Sequence, residues 1–470
     1  MRNWAPRLNR RRFLSVTGAA LGAAPLHALA GCVEANRGQQ AAAADAAPAV
    51  DAGYGPLQPV RDETTGLPLL ELPAGFRYLS FGWTGDPLAG GLVTPRAHDG
   101  MAAFAGEGSR IGLVRNHEGR DGAAFAESPE NDADGGGGTT TIEFDTASGA
   151  VGEAWASLAG TAINCAGGPT PWGSWLTCEE TVFGPDFTGT SRMPGGDHRY
   201  RRPHGYVFEV PADGAASAEP LREMGRFIHE AAAVDPETGI VYETEDRFAG
   251  SGFYRFIPAE PGDLAAGGRL EMLAVADLPR ADLRTGQTRE VWLPVTWAPV
   301  DDPDPEGIHE GSIFAQGAAS GGATFARLEG IWYGGGRLYI VSTSGGEAEA
   351  GQVWEYDPRG ERIRMVFESP GRDVLDMPDN LCVSPRGALV LCEDGETDNF
   401  VRGLTTDGRI FDLAKNAVVL DGERNGFSGD YRHREFAGAT YSPDGRWLFF
   451  NVQTPGITFA VTGPWADGPL

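Results

Sequence analysis

The chain has 470 residues, with 65 Asp and Glu against 38 Lys and Arg, for a formal net charge of −27. A chain this acidic repels phosphate backbones, which excludes non-specific nucleic-acid binding. Its 68 Gly and 33 Pro demand frequent turns, and helical periodicity is scarce beyond the N-terminus, so the chain is predicted to be all-β.

The chain opens on a targeting signal. Arg10-Arg11-Arg12-Phe13-Leu14 matches the twin-arginine pattern, and a mildly apolar stretch follows to Ala30. Pro25 and His27 interrupt that stretch, so no membrane span is expected from it. Residues 1–31 read as a twin-arginine signal peptide. Leu29-Ala30-Gly31-Cys32 has the form of a lipobox, which would put a lipid anchor on Cys32; soluble export with a chance cysteine is the alternative. Residues 32–53 read as a low-complexity tether and 54–470 as the folded part. The expected location is the periplasm or cell envelope, the expected state a monomer, and the expected early partner the twin-arginine machinery.

Within the folded part, three segments make a turn, run a short apolar strand and end on paired acids. They are Pro171–Glu180, Pro236–Asp246 and Pro385–Asp394. Other strand-like runs are Arg110–Arg115, Gly205–Val210, Gly252–Ile257, Arg337–Ser342, Gln352–Tyr356 and Trp447–Val452. Turn-then-strand units anchor on Trp175, Val241, Leu338, Leu389 and Trp447, and the wide gap after Val241 leaves room for two units. This spacing predicts an irregular six-bladed β-propeller with loop insertions, and a β-sandwich is the alternative. In a propeller the innermost strands line one channel, so their ends can aim carboxylates at a shared point.

The acids at these ends and turns are Glu179, Glu180, Glu230, Glu245, Asp246, Glu329, Asp379, Glu393 and Asp394. Singly each reads as a turn or surface residue. Together they would repel unless cations hold them, and oxygen ligands suit Ca²⁺ or Mg²⁺. Cys178, beside Glu179 and Glu180, adds a thiol, which suits a transition metal such as iron. Arg327, two residues before Glu329, could fork onto two phosphate oxygens. Asn116 could donate a hydrogen bond to an oxyanion. No phosphate-binding loop, nucleophile elbow or HExxH motif is present, which disfavours nucleotide folds, serine hydrolases and zinc hydrolases.

Longer stretches carry a family resemblance. Arg115-Asn-His-Glu118, Asn164-Cys-Ala-Gly-Gly-Pro-Thr-Pro-Trp-Gly-Ser-Trp-Leu-Thr-Cys-Glu-Glu180, Gly225-Arg-Phe-Ile-His-Glu230, Arg327-Leu-Glu-Gly-Ile-Trp332, Asp379-Asn-Leu381 and Glu435-Phe-Ala-Gly438 resemble the PhoX family of secreted alkaline phosphatases. Leu328 stands where the family pattern has proline. The resemblance implies a six-bladed propeller exported by the twin-arginine route and acting on small phosphomonoesters. It implies Fe³⁺ and Ca²⁺ sharing a bridging oxygen. On the matching positions Cys178 would ligate iron, Glu230 and Glu329 would be metal ligands, and Arg327 would hold the phosphate. Glu180, Asp246, Asp379 and Asp394 would hold calcium. A calcium-dependent propeller lactonase, which would not need Cys178 or Arg327, and a non-catalytic, calcium-stabilised envelope protein are the competing readings.

Overall fold

The computed structural model describes residues 50–189 and 200–470, almost entirely as β-strands and the turns between them. The predicted signal peptide, Cys32 and most of the tether lie outside these residues. Val50–Asp51 pairs in parallel with Ile410 and Phe411, so the chain joins a sheet ahead of the Tyr54 start read from the sequence. No helix among the described residues is long and apolar enough to cross a membrane.

Successive strands form antiparallel meanders. The first comprises His98–Ala105, Arg110–His117, Gly137–Asp145 and Ala150–Thr161. The next is shorter, with Asn164–Pro169, Ser174–Glu179 and Val207–Pro211. Then come His229–Val234, Val241–Glu245, Phe253–Glu260 and Asp263–Val275, and Leu328–Gly334, Arg337–Ser342, Gln352–Asp357 and Arg362–Glu368. Strand Leu293–Pro299 pairs with the last strand of both and joins them into one sheet. Pro378–Val383, Leu389–Glu393, Phe400–Leu404 and Ile410–Asn416 follow. The last meander, Phe436–Tyr441, Leu448–Val452 and Ile457–Thr462, is completed by Arg77–Phe81 from the opposite end of the chain. The first strands of these meanders neighbour one another in chain order, and Phe436–Tyr441 lies against His98–Ala105, which closes the circuit. The architecture is of the propeller type.

The wide gap between Val241 and Leu338 holds an insertion instead of an additional unit. It contains the long hairpin from Phe253 to Val275, the joining strand and the short helix Ser312–Ala319. The sequence pattern passes over the first meander, whose second strand ends on His117-Glu118 without a doubled acid.

Strand alternation explains the apolar runs. Leu389 and Leu391 enter a cluster with Val341, Val353 and Phe367, while Val390 and Cys392 enter another with Phe411, Phe436 and Phe450. Both faces are buried between neighbouring sheets, and each such aliphatic side chain contributes about 1.5–3 kcal/mol. Cys382 and Cys392 are free thiols inside this apolar packing, and burial raises both. The circuit is also clasped by Arg115. Its Nη1 donates to Gly82 O at 2.9 Å and Thr458 Oγ1 at 2.7 Å, and its Nη2 to Thr140 Oγ1 at 3.2 Å, tying the first sheet to the last.

Candidate metal centre

First strands enter their sheets through register shifts, which fall after His98, His229, Leu328 and Pro378 and opposite Cys178 in the Asn164–Pro169 strand. A bulge adds a residue, bends the strand and re-aims a side chain. The residues in these bulges are Asp99, Glu230, Glu329, Asp379 and Cys165. In the last sheet the bulge carries Gly438 at φ 65, and Glu435, just before the strand, supplies the acid instead. A second set follows the ends of second strands: Glu118, Glu180, Asp246 and Asp394.

These two sets converge. Four groups have ligand atoms all within 4.8 Å of one another: Cys165, Glu180 and Glu230; Glu230, Glu329 and Asp379; Asp379, Asp394 and Glu435; and Asp99, Glu118 and Glu435. Glu230, Asp379 and Glu435 each belong to two groups, so the four form one continuous cluster. Glu230 is 3% and Glu329 2% exposed. Burial first, then neighbouring carboxylates, push Asp99, Glu230 and Asp379 well above the usual carboxylate range. Burial raises Glu329 to about 8 even though Arg327 opposes the shift. The Cys165 thiol is raised by burial and then by Glu230 and Glu180.

Arg327 stands in this cluster with a left-handed φ of 45°. Its Nε and Nη2 donate to the two oxygens of Asp246 at 3.0 and 2.8 Å, a forked pair, and it also pairs with Glu329. Across the cluster, Arg120 pairs with Glu118 and lies 3.8 Å from Glu180.

The family model described as alkaline phosphatase PhoX matches residues 52–143 and 138–456. This chain belongs to the PhoX family. Pseudomonas fluorescens PhoX, solved in complex with vanadate, a transition-state analogue, superposes with a TM-score of 0.60 at 18% identity, over 87% of this chain and 98% of that one. The Xanthomonas campestris gluconolactonase XC5397 gives a TM-score of 0.40 at 14% identity over 87% and 98%. Virginiamycin B lyase from Staphylococcus aureus gives 0.36 at 11% identity over 82% and 99%. Among curated proteins, none matches the chain by sequence.

Against the PhoX motifs, the paired acids divide by strand alternation. The second acid of each pair turns to the centre: Glu180 and Asp394 belong to its groups, and Asp246 meets it through Arg327. The first is turned away and ties down backbone. Glu179 accepts from the backbone N–H groups of Ala162, Gly205 and Tyr206 at 2.8, 2.7 and 3.1 Å. Glu245 accepts from Gly252 N and Tyr254 Oη, both at 2.9 Å. Glu393 accepts from Asp376 N and Phe400 N at 3.0 Å and Arg402 Nε at 2.9 Å. Cys178 is packed among Leu176, Val207, Met224 and Tyr254 and joins none of the four groups, whereas Cys165 joins one. Asn116 is also turned into the protein. Its Nδ2 donates to Cys165 O and Ala166 O, and its Oδ1 accepts from Trp175 Nε1 and Thr177 Oγ1, which uses the whole amide within the protein.

Asp99, Glu118, Cys165 and Glu435 are the members that strand-end reasoning passes over. A weak signal exists for Asp99 and Cys165, each followed by Gly or Ala as Glu230-Ala231 and Glu329-Gly330 also are. The small residue is required because neighbouring first strands touch there. A Cβ on Gly100 would come within 2.5 Å of Ala166 Cα, and one on Gly330 within 2.8 Å of Asp379 O.

Glu179 also accepts from His204 Nδ1 at 2.6 Å, and Asp132 lies 3.5 Å from the other ring nitrogen. Burial opposes the imidazolium, but Glu179 and Asp132 outweigh it and raise His204 to about 9. A raised histidine stabilises most below its unfolded pKa of about 6.5, and the contribution is lost as pH climbs through 9, of the order of 3 kcal/mol in all. His204→Gln is therefore expected to lower the melting temperature strongly at pH 6 and little at pH 10. An equal deficit at both pH values would refute the charged triad.

A thiol amid carboxylates from every sheet, held out of water and each pushed toward protonation by burial and by its neighbours, fits several cations better than protons. Carboxylate groups suit hard ions such as Ca²⁺, and Cys165 suits a transition metal.

Proposed function

We propose that the chain hydrolyses phosphomonoesters, as its family does, at the cluster joining Cys165 to Glu435, with organic phosphates outside the cytoplasm as substrates. The observation that carries this reading is Arg327, a guanidinium clamped by Asp246 at the edge of a thiol-and-carboxylate cluster. A lactonase or a calcium-stabilised scaffold leaves both the thiol and the arginine without a task. The architecture is read as six blades, supported by the ring of first strands and by strand Arg77–Phe81 completing the last sheet.

The group Cys165, Glu180 and Glu230 would hold Fe³⁺ and the two groups that share Glu435 would hold Ca²⁺, with the group Glu230, Glu329 and Asp379 linking them. Bound metals supply Lewis acidity and a water of lowered pKa. The chain's own part is electrostatic and positional. Arg327 binds two phosphate oxygens, Asp246 fixes the plane of its fork, and the buried walls exclude water so that this charge acts at low dielectric. Export is read from Arg10–Leu14, with Cys32 as the optional lipid site.

One experiment separates these parts. The full chain is expressed in a host with twin-arginine export, and the extracytoplasmic fraction is assayed with p-nitrophenyl phosphate and analysed for metals. Turnover with iron and calcium present is expected. Cytoplasmic retention overturns the export reading, absence of iron overturns the cofactor reading, and metal-replete protein without turnover overturns the function.

A further inference from the structure

The turn that follows Asp246 carries an aromatic ring with no part in the centre described above. Phe248 is 49% exposed, among the few large apolar side chains so presented. One face of its ring lies against the Arg327 guanidinium, with Cζ 4.8 Å from the ring centroid. Arg327 itself is buried at 7% exposure, so Phe248 marks the boundary between the arginine and solvent.

The turn is rigidly held. Arg247 N donates to Ser251 Oγ, that hydroxyl donates to Arg247 O, and Gly250 N closes the turn onto Arg247 O at 3.1 Å. Gly250 has φ 126° and its Cβ position lies 2.6 Å from Thr324, so only glycine fits there. Ser251 exchanges backbone hydrogen bonds with Phe325, two residues before Arg327. The Arg247 guanidinium stacks on Phe314 at 4.3 Å. The ring is thus registered to the same segment that presents the arginine.

We propose that Phe248 is the specificity-determining residue for the leaving group, and that it favours phosphomonoesters of planar aromatic alcohols and nucleosides over those of small polyols. This rests on the reading of Arg327 as the phosphate contact. A phosphate forked on Arg327 puts its ester oxygen within reach of the ring that covers the guanidinium. A flat aromatic group can stack on the exposed part of that ring or meet its edge. A glycerol-like group gains nothing from it. The guanidinium on the other face polarises the ring and holds it in place, so little side-chain freedom is lost on stacking.

The test compares kcat/KM for p-nitrophenyl phosphate, a nucleoside 5′-monophosphate and glycerol 2-phosphate in metal-replete wild type, Phe248→Ala, Phe248→Leu and Phe248→Trp. In Phe248→Ala and Phe248→Leu the ratio of aromatic to glycerol ester turnover is expected to fall about five-fold, mainly through KM, the size of one aromatic pair. Phe248→Trp is expected to restore it. Equal losses for all three esters, or full retention of the ratio in Phe248→Leu, overturn the inference while leaving the phosphatase reading intact. Failure of wild type to cleave any of the esters overturns both.

Discussion

Cys165→Ala is expected to lose its iron and more than about 100-fold in kcat for p-nitrophenyl phosphate, a larger loss than removal of an outer-shell partner brings. Cys178→Ala is expected to keep its iron and change kcat/KM by less than about threefold, while losing about 1–2 kcal/mol of stability. The two thiols lie on paired strands, and Cys165 Sγ is 3.9 Å from Cys178 O, yet only Cys165 lies within one of the ligand groups. Cys165 faces Glu180 and Glu230. Cys178 sits in an apolar cluster with Leu176 and Met224. Metal analysis of both variants by mass spectrometry, beside steady-state kinetics and thermal melts, checks the assignment. Iron retained in Cys165→Ala, or lost in Cys178→Ala, would reverse it.

Arg327→Lys is expected to lower kcat/KM by about 10²-fold, or roughly 2.7 kcal/mol of transition-state stabilisation, with metal content unchanged. A lysine keeps the charge but has no planar fork, so it can neither grip two phosphate oxygens nor hold both oxygens of Asp246. Asp246→Asn is expected to give a milder loss of about 10-fold together with weaker inhibition by inorganic phosphate, because the guanidinium is then free to rotate. Calcium lost from Asp246→Asn would mean that Asp246 is a metal ligand first and an arginine clamp second. Wild-type phosphate affinity in Arg327→Lys would remove the arginine from substrate binding.

Much of this was legible in the chain itself. Turn-strand spacing and the density of glycine and proline pointed to an all-β, propeller-type fold, because those signals are local. The motif around Asn164–Glu180 carried the family, and Arg327, Glu180, Glu230, Glu329, Asp379 and Asp394, all singled out along the chain, lie together in the fold. The paired acids were legible only as pairs. A strand turns successive side chains to opposite faces, so one member of each pair had to point away, and nothing local said which.

The sequence by itself determined the strand content, the family and most of the acids. Tertiary structure decided which side chains meet: Glu179, Glu245 and Glu393 bind backbone, Asn116 is fully used inside the protein, and Cys165 instead of Cys178 lies beside Glu180 and Glu230. It also brought in Asp99, Glu118 and Glu435, which lie far from one another along the chain. The physical reason is the bulge at the entry of each first strand. It shifts register by a residue and re-aims a side chain, and its direction is set by contact with the neighbouring first strand, which no local pattern records.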